Sequence, residues 1–152
     1  MIFISNIKLY HIDLRQNFLK NDGTITLIDG ILNAKNSDLK VLRLDYNQIE
    51  KEAVMKISHN LWLSPRCLKL TILTLWGNPI FETGCLAIAE SLKKNTFLKY
   101  LDLSDCSLDF KSFETLVFNL KQNSVLEVIN LLRNKVENRA LTLFNSFLSR
   151  NK

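Results

Sequence analysis

The chain has 152 residues, 47% of them apolar and 23% charged, with a formal net charge of +5. That length and balance suit one globular domain and exclude a disordered or collagen-like chain. The apolar start Met1-Ile2-Phe3-Ile4 breaks at Ser5 and Asn6, too soon for a signal-peptide core or a membrane span, so no membrane insertion is expected. Cys67, Cys85 and Cys106 have neither CxxC spacing nor even parity, and no Asn-x-Ser/Thr site occurs. A reducing, cytoplasmic setting fits those features.

One phrase then recurs along the chain, Leu-x-x-(Leu/Ile)-x-Leu-x-x-(Asn/Cys)-x-(Leu/Ile/Val). The first copy, LYHIDLRQNFL, starts at Leu9 and is followed by a helical stripe at Gly23, Leu27 and Ile31. The second, LKVLRLDYNQI, starts at Leu39 and its helix carries Ala53, Ile57 and Leu61. That helix should stop at the inserted Pro65-Arg66-Cys67, where a local bulge is expected. The third, LTILTLWGNPI from Leu70, precedes Gly84, Ile88 and Leu92, and the fourth, LKYLDLSDCSL from Leu98, precedes Ser112, Leu116 and Leu120. The fifth, LEVINLLRNKV from Leu126, precedes Ala140, Phe144 and Leu148. A regular period of about 30 residues is the mark of a solenoid.

Within each phrase the leucines at places one, four and six can share one side only if the middle is a short strand flanked by bends. After it, a small residue and apolar residues four and eight places on mark one face of an amphipathic helix. The small residue lets helix and strand layers approach closely. Asn95, Asn123 and Asn151 lie eleven places after the small residue of the last three copies and suit the end of each helix.

All five copies resemble the ribonuclease-inhibitor-like class of leucine-rich repeats, as in NOD-like receptor and Ran GTPase-activating protein repeat domains. The likeness covers essentially residues 7–152, and the third copy matches best, at Asn78, Gly84, Leu92 and Asn95. It implies an open α/β horseshoe of about five repeats, a single domain over 1–152 or a segment of a longer array, with a concave parallel sheet and convex helices. The resemblance also implies that the ninth-place residues Asn17, Asn47, Asn78, Cys106 and Asn134 turn inward to hydrogen-bond bare backbone. Cys106 is then structural, not a reactive thiol. Most proteins of this class grip another protein.

A concave sheet displays places three, five, seven and eight of each phrase. The candidate partner-binding residues are therefore His11, Asp13, Arg15, Arg43, Asp45, Tyr46, Thr74, Trp76, Tyr100, Asp102, Asp105, Asn130 and Arg133. Tyr46, Trp76, Tyr100 and Arg43 are the central ones, because aromatic and Arg side chains dominate protein interfaces. Trp62 falls on the second helix, where core packing is its expected role. The concave charges nearly balance, so the basic surplus lies on the helices, at Lys51, Lys56, Lys93, Lys94, Lys111, Lys121, Arg139 and Arg150. Such a solvated face lacks the aromatic platform that single-stranded nucleic acid needs. The last helix offers Phe144 and Phe147 for docking or self-association at an uncapped end.

No catalytic constellation is expected. His11 and His59 fall on different layers, no His/Cys/Asp/Glu cluster has metal-ligand spacing, and Gly23, Gly30, Gly77 and Gly84 form no phosphate loop. The sequence thus points to a non-enzymatic module, without cofactor or metal, that binds a protein partner on its concave sheet. Two alternatives rest on other features: regulation of a small GTPase, by analogy with the Ran GTPase-activating protein, and an architectural segment that docks through its ends.

Overall fold

The computed structural model describes residues 9–33, 38–62, 68–135 and 137–148. Strands and helices alternate: β1 His11–Asp13, α1 Lys20–Asn33, β2 Val41–Arg43, α2 Lys51–Trp62, β3 Ile72–Thr74, α3 Phe81–Leu92, β4 Tyr100–Asp102, α4 Phe110–Leu120, β5 Val128–Asn130 and α5 Asn138–Leu148. The five strands form one parallel sheet in the order β1-β2-β3-β4-β5, and consecutive helices pack side by side. His11, Val41, Ile72, Tyr100 and Val128 stand in register, so every phrase place forms a column across the sheet.

The core lies between the sheet and the helices. In the three inner repeats, the leucines at places one, four and six are at most 2% exposed. They meet Ile57, Leu61, Ile88, Leu92 and Leu116 of the helical stripes. The small residues Ala53, Gly84, Ser112 and Ala140 are buried. A Cβ on Gly84 would lie 2.5 Å from Ile80 Cγ2 and 3.5 Å from Val54 Cγ1 of the neighbouring helix, so the glycine leaves room for those two side chains.

Strands of three residues leave much backbone without a ladder partner, and the ninth place supplies what is missing. Asn78 Oδ1 accepts from the backbone N–H groups of Asn47 and Ile49, both at 3.0 Å, while its Nδ2 donates to the carbonyls of Leu44 (3.0 Å) and Leu75 (2.8 Å). Asn134 repeats this toward Cys106, Leu108, Leu103 and Leu131. Cys106 donates its S–H to Leu75 and Ser104 carbonyls and its sulfur meets the Asn78 N–H, but a thiol is a weaker acceptor than an amide oxygen. The Ile80 N–H, whose counterparts Ile49 and Leu108 reach an asparagine, turns to Asn78 O at 2.8 Å instead. Burial pushes the Cys106 thiol up to about 12, and Cys85 likewise, consistent with packing roles.

A second asparagine series closes the helix side. Asn95 Nδ2 donates to Leu61 O at 2.8 Å and Asn123 Nδ2 to Leu92 O, so each reaches back to the previous helix terminus. Their Oδ1 atoms accept from Leu98 and Leu126 N–H groups, which steers the chain into the next strand. Asparagines that the spacing marks as helix-ending therefore also tie repeats together. The helix α4 begins under Asp109, whose carboxylate takes the Ser112 N–H at 2.9 Å and is held below its ordinary pKa by that bond. The inserted Pro65-Arg66-Cys67 and its expected bulge lie outside the described residues, as do Arg150 and Asn151; the side chains of Trp62, Phe147 and Leu148 are likewise not described.

On the helix face, Lys56 pairs with Asp29 at 2.6 Å and Lys111 with Glu82, both across neighbouring repeats, while Lys93 pairs with Glu90 along its own helix. Most of the described basic surplus is thus engaged with nearby carboxylates. Such exposed pairs contribute little stability each.

Candidate functional site

The sheet face turned away from the helices carries places three, five and seven, and the strand exits carry place eight. At place five, side chains first serve the backbone. Asp102 Oδ1 accepts the Ser104 N–H at 2.9 Å, Asp13 Oδ1 the Arg15 N–H at 3.2 Å, and Asn130 Oδ1 the Leu132 N–H at 3.2 Å. Thr74 has no carboxylate to do this. Asp45 of the preceding repeat acts in its place, taking the Thr74 hydroxyl and the Trp76 N–H, each at 2.9 Å. Asp45, Thr74 and Asp102 are accordingly buried in the free chain, at 6%, 8% and 8% exposure. They form the floor beneath the exposed columns, whereas the sequence columns rank them beside surface residues.

Burial raises the Asp45 carboxyl above its ordinary value against the opposing pull of the Thr74 and Trp76 hydrogen bonds. Asp13 behaves oppositely. The Arg15 guanidinium bonded to it brings its carboxyl down to about 2.

Above this floor stand the aromatics. Tyr46 and Trp76 have ring centroids 5.2 Å apart and planes tilted by 53°, an arrangement favoured by the ring quadrupoles. Gly77 follows Trp76 at φ +70°, and any Cβ there would enter the van der Waals radius of the Tyr46 ring. The glycine thus makes room for its neighbour while supplying the turn. With Asp13, Arg15, Gln16 and Asp45, the ring pair lines a shallow cleft of about 310 Å³. Tyr100 is half-buried one repeat further, its hydroxyl directed to Asp102 Oδ2 at 3.5 Å, and burial with the nearby carboxylate raises its pKa. Arg43 is half-buried between Asp13 and Thr74 in the place-five column. His11, Asp105 and Arg133 are exposed, and Asn130 is half-buried with its Nδ2 on Asp102 Oδ2.

All five eighth-place residues, Gln16, Tyr46, Gly77, Asp105 and Arg133, have φ between +51° and +70°. Only one is glycine, so the sequence does not announce this conformation, which the turn imposes on four ordinary residues. Sequence reasoning also missed several exposed rings, among them Phe18 at 81% and Phe81 at 54%. Phe18 sits on the loop leaving β1 and Phe81 opens α3, at places ten and twelve, where the repeat pattern is silent; solvent-facing periodicity offers no signal for them. At the other end, Phe144 stacks edge-on against Phe113 at 5.9 Å and lines a groove of about 590 Å³ with Leu126, Val128 and Ile129. Among the described residues no group of three or more His, Cys, Asp or Glu could hold a metal, and no helix is long and apolar enough to cross a membrane.

A family model described as Leucine Rich repeat matches residues 35–58 and 94–109. Among solved structures, the leiomodin-1 actin-binding site 2 domain aligns with a TM-score of 0.73 at 20% identity, covering 97% of this chain and 83% of that one. The Caenorhabditis elegans tropomodulin C-terminal domain aligns at 0.72 and 13% identity, covering 98% and 87%. No curated protein matches by sequence. At these identities the structural likeness concerns the fold.

Proposed function

We propose that this leucine-rich repeat protein is a protein-binding module that seats its partner on the sheet face, around Tyr46, Trp76 and Tyr100. The observation that carries the reading is the tilted Tyr46–Trp76 pair beside Gly77, held above a floor whose polar groups bond one another. A partner meeting such a surface gains aromatic contact area while little side-chain freedom is lost, because the floor is ordered beforehand. His11, Arg15, Asp105 and Arg133 form a mixed polar rim suited to selectivity. Asp13, Arg43 and Asn130 stand between rim and floor. Asp45, Thr74 and Asp102 contribute by fixing the platform.

The matching leiomodin-1 domain is described as an actin-binding site, which makes actin the first partner to test here. Binding of wild type and of the Trp76→Ala/Tyr100→Ala double variant would be compared by calorimetry with monomeric actin, and by affinity capture if actin does not bind. The double variant should lose about 2 kcal/mol or more of affinity. Equal retention by both proteins would defeat the sheet-face reading.

A second reading, docking through the solenoid end, is favoured by one contrast. Leu126, Ile129 and Leu131 of the last repeat are only half-buried, while their inner counterparts are at most 2% exposed. Phe144 would belong to that contact, together with Phe147. Loss of partner on Phe144→Ala with retention by Trp76→Ala/Tyr100→Ala would select it. Regulation of a GTPase has no comparable observation behind it.

A further inference from the structure

Arg43 stands apart from the other charged groups around it. It lies on the sheet face beside Thr74, two residues before Asp45 and across from Asp13, yet among the described residues its side chain makes no hydrogen bond or close ion pair, and Asp13 acts on its charge only from a distance. The reason is that each carboxylate within its neighbourhood is already committed. Asp13 is held in a fork by Arg15, with Nε at 2.9 Å and Nη2 at 2.8 Å. Asp45 spends one oxygen on the Thr74 hydroxyl and the other on the Trp76 N–H. Asp102 serves Ser104 and Asn130.

Arg43 Nε is fully covered without an acceptor among the described residues, and so is Trp76 Nε1, two residues beyond the adjacent strand. The terminal nitrogens of this half-buried guanidinium are likewise without a hydrogen-bonded anion among the described residues, and an anion that reached them would form charge-assisted bonds stronger than those at a fully hydrated arginine. Arg15 cannot serve because Asp13 holds it, and Arg133 is exposed enough for water to satisfy it. The planar fork of an arginine is matched by a carboxylate, and on a protein surface that group comes from Asp, Glu or a chain terminus.

We infer that Arg43 is the anchor for a carboxylate presented by the partner, placed beside the Tyr46–Trp76 platform. The inference rests on the sheet face being the binding surface and adds the chemistry that it reads: an acidic side chain next to an apolar one. Arg43 then supplies selectivity for that charge, while the rings supply contact area.

The test uses acetate as the carboxylate probe and two-dimensional ¹H–¹⁵N spectra of the whole chain, in which the Arg43 Nε–H, the Trp76 Nε1–H and the Thr74 amide are separate reporters. In wild type, acetate should move all three along a saturable curve, with a dissociation constant on the order of tens of millimolar for a charge-assisted hydrogen-bonded pair. Chloride at the same ionic strength should give only a small linear drift. Arg43→Lys should saturate several-fold more weakly, and Arg43→Gln should lose the saturable shift of Thr74 and Trp76. Because the Arg43 side chain makes no hydrogen bond among the described residues, neither variant removes one, and melting curves recorded beside the spectra restrict the comparison to folded protein.

Linear drifts that are alike in wild type and Arg43→Gln would overturn the inference. Saturation by phosphate without saturation by acetate would overturn it too, since it would make the site a phosphate receptor. Neither result touches the proposed binding face, which stands or falls with Trp76 and Tyr100.

Discussion

Replacing Asn78 by alanine would remove the centre of the inner repeat stack. Its amide makes four close bonds, yet they are not equal in consequence. Leu44 O also accepts from Asn47 Nδ2, and Leu75 O from the Cys106 thiol, so both carbonyls keep a partner. The N–H groups of Asn47 and Ile49 have Asn78 Oδ1 as their acceptor and would be orphaned. With Asn78 wholly buried, two orphaned donors at about 1–3 kcal/mol each give a loss of about 4 kcal/mol. For a domain of this size that corresponds to a fall in Tm of about 8–16 °C. Asn17→Ala is the internal control, because the exposed Asn17 side chain donates only to its own loop at Leu14 and Arg15. Urea unfolding followed by circular dichroism, with m-values compared, measures both. A loss for Asn78→Ala within about 1 kcal/mol of the Asn17→Ala loss would refute the account of the ninth place.

Cys106→Asn should stabilise the chain by about 1 kcal/mol, since the amide offers Ile80 N–H the acceptor that its counterparts enjoy. A lower urea midpoint would mean that the site is too tight for an amide. Asp45 predicts a pH dependence. Its folded pKa is raised by burial, so the folded chain keeps that proton to higher pH than the unfolded chain does. The stabilisation linked to it is full below the ordinary value of 3.8 and is lost as pH rises through the raised folded value. Asp45→Asn removes this titration, so the stability difference between wild type and variant should move in favour of the variant across that interval. A difference that stays flat with pH, measured by urea midpoints, would contradict it.

The strands and helices were legible because two different periods alternate five times: leucines at places one, four and six, then an apolar residue every fourth place. Column register followed from the same count, and His11, Val41, Ile72, Tyr100 and Val128 do align. Depth within the columns was not legible. Period two assigns Asp45 and Trp76 to the same face, but it cannot say that Asp45 turns under Trp76 to cap it, because that bond depends on Thr74 replacing an acid at place five. Nor does a repeat count reveal that place eight is left-handed, when Gln, Tyr, Asp and Arg occupy it. The open valence of Arg43 needs knowledge of which acid bonds which donor, and that comes only from coordinates.

Asn47, Asn78 and Asn134 of the ninth place reach toward the preceding repeat with both ends of the amide. Shortening the array from its two ends is therefore not equivalent. Removing the last repeat takes away Asn134 and strands the Cys106 and Leu108 N–H groups, so its predecessor is left flawed. Removing the first repeat deprives Asn47 of the Leu14 and Leu19 contacts, while its bonds to Leu44 and Asp45 remain and the second repeat keeps its own backbone acceptors from Asn78. The array has a polarity of dependence: each repeat is finished by the one after it.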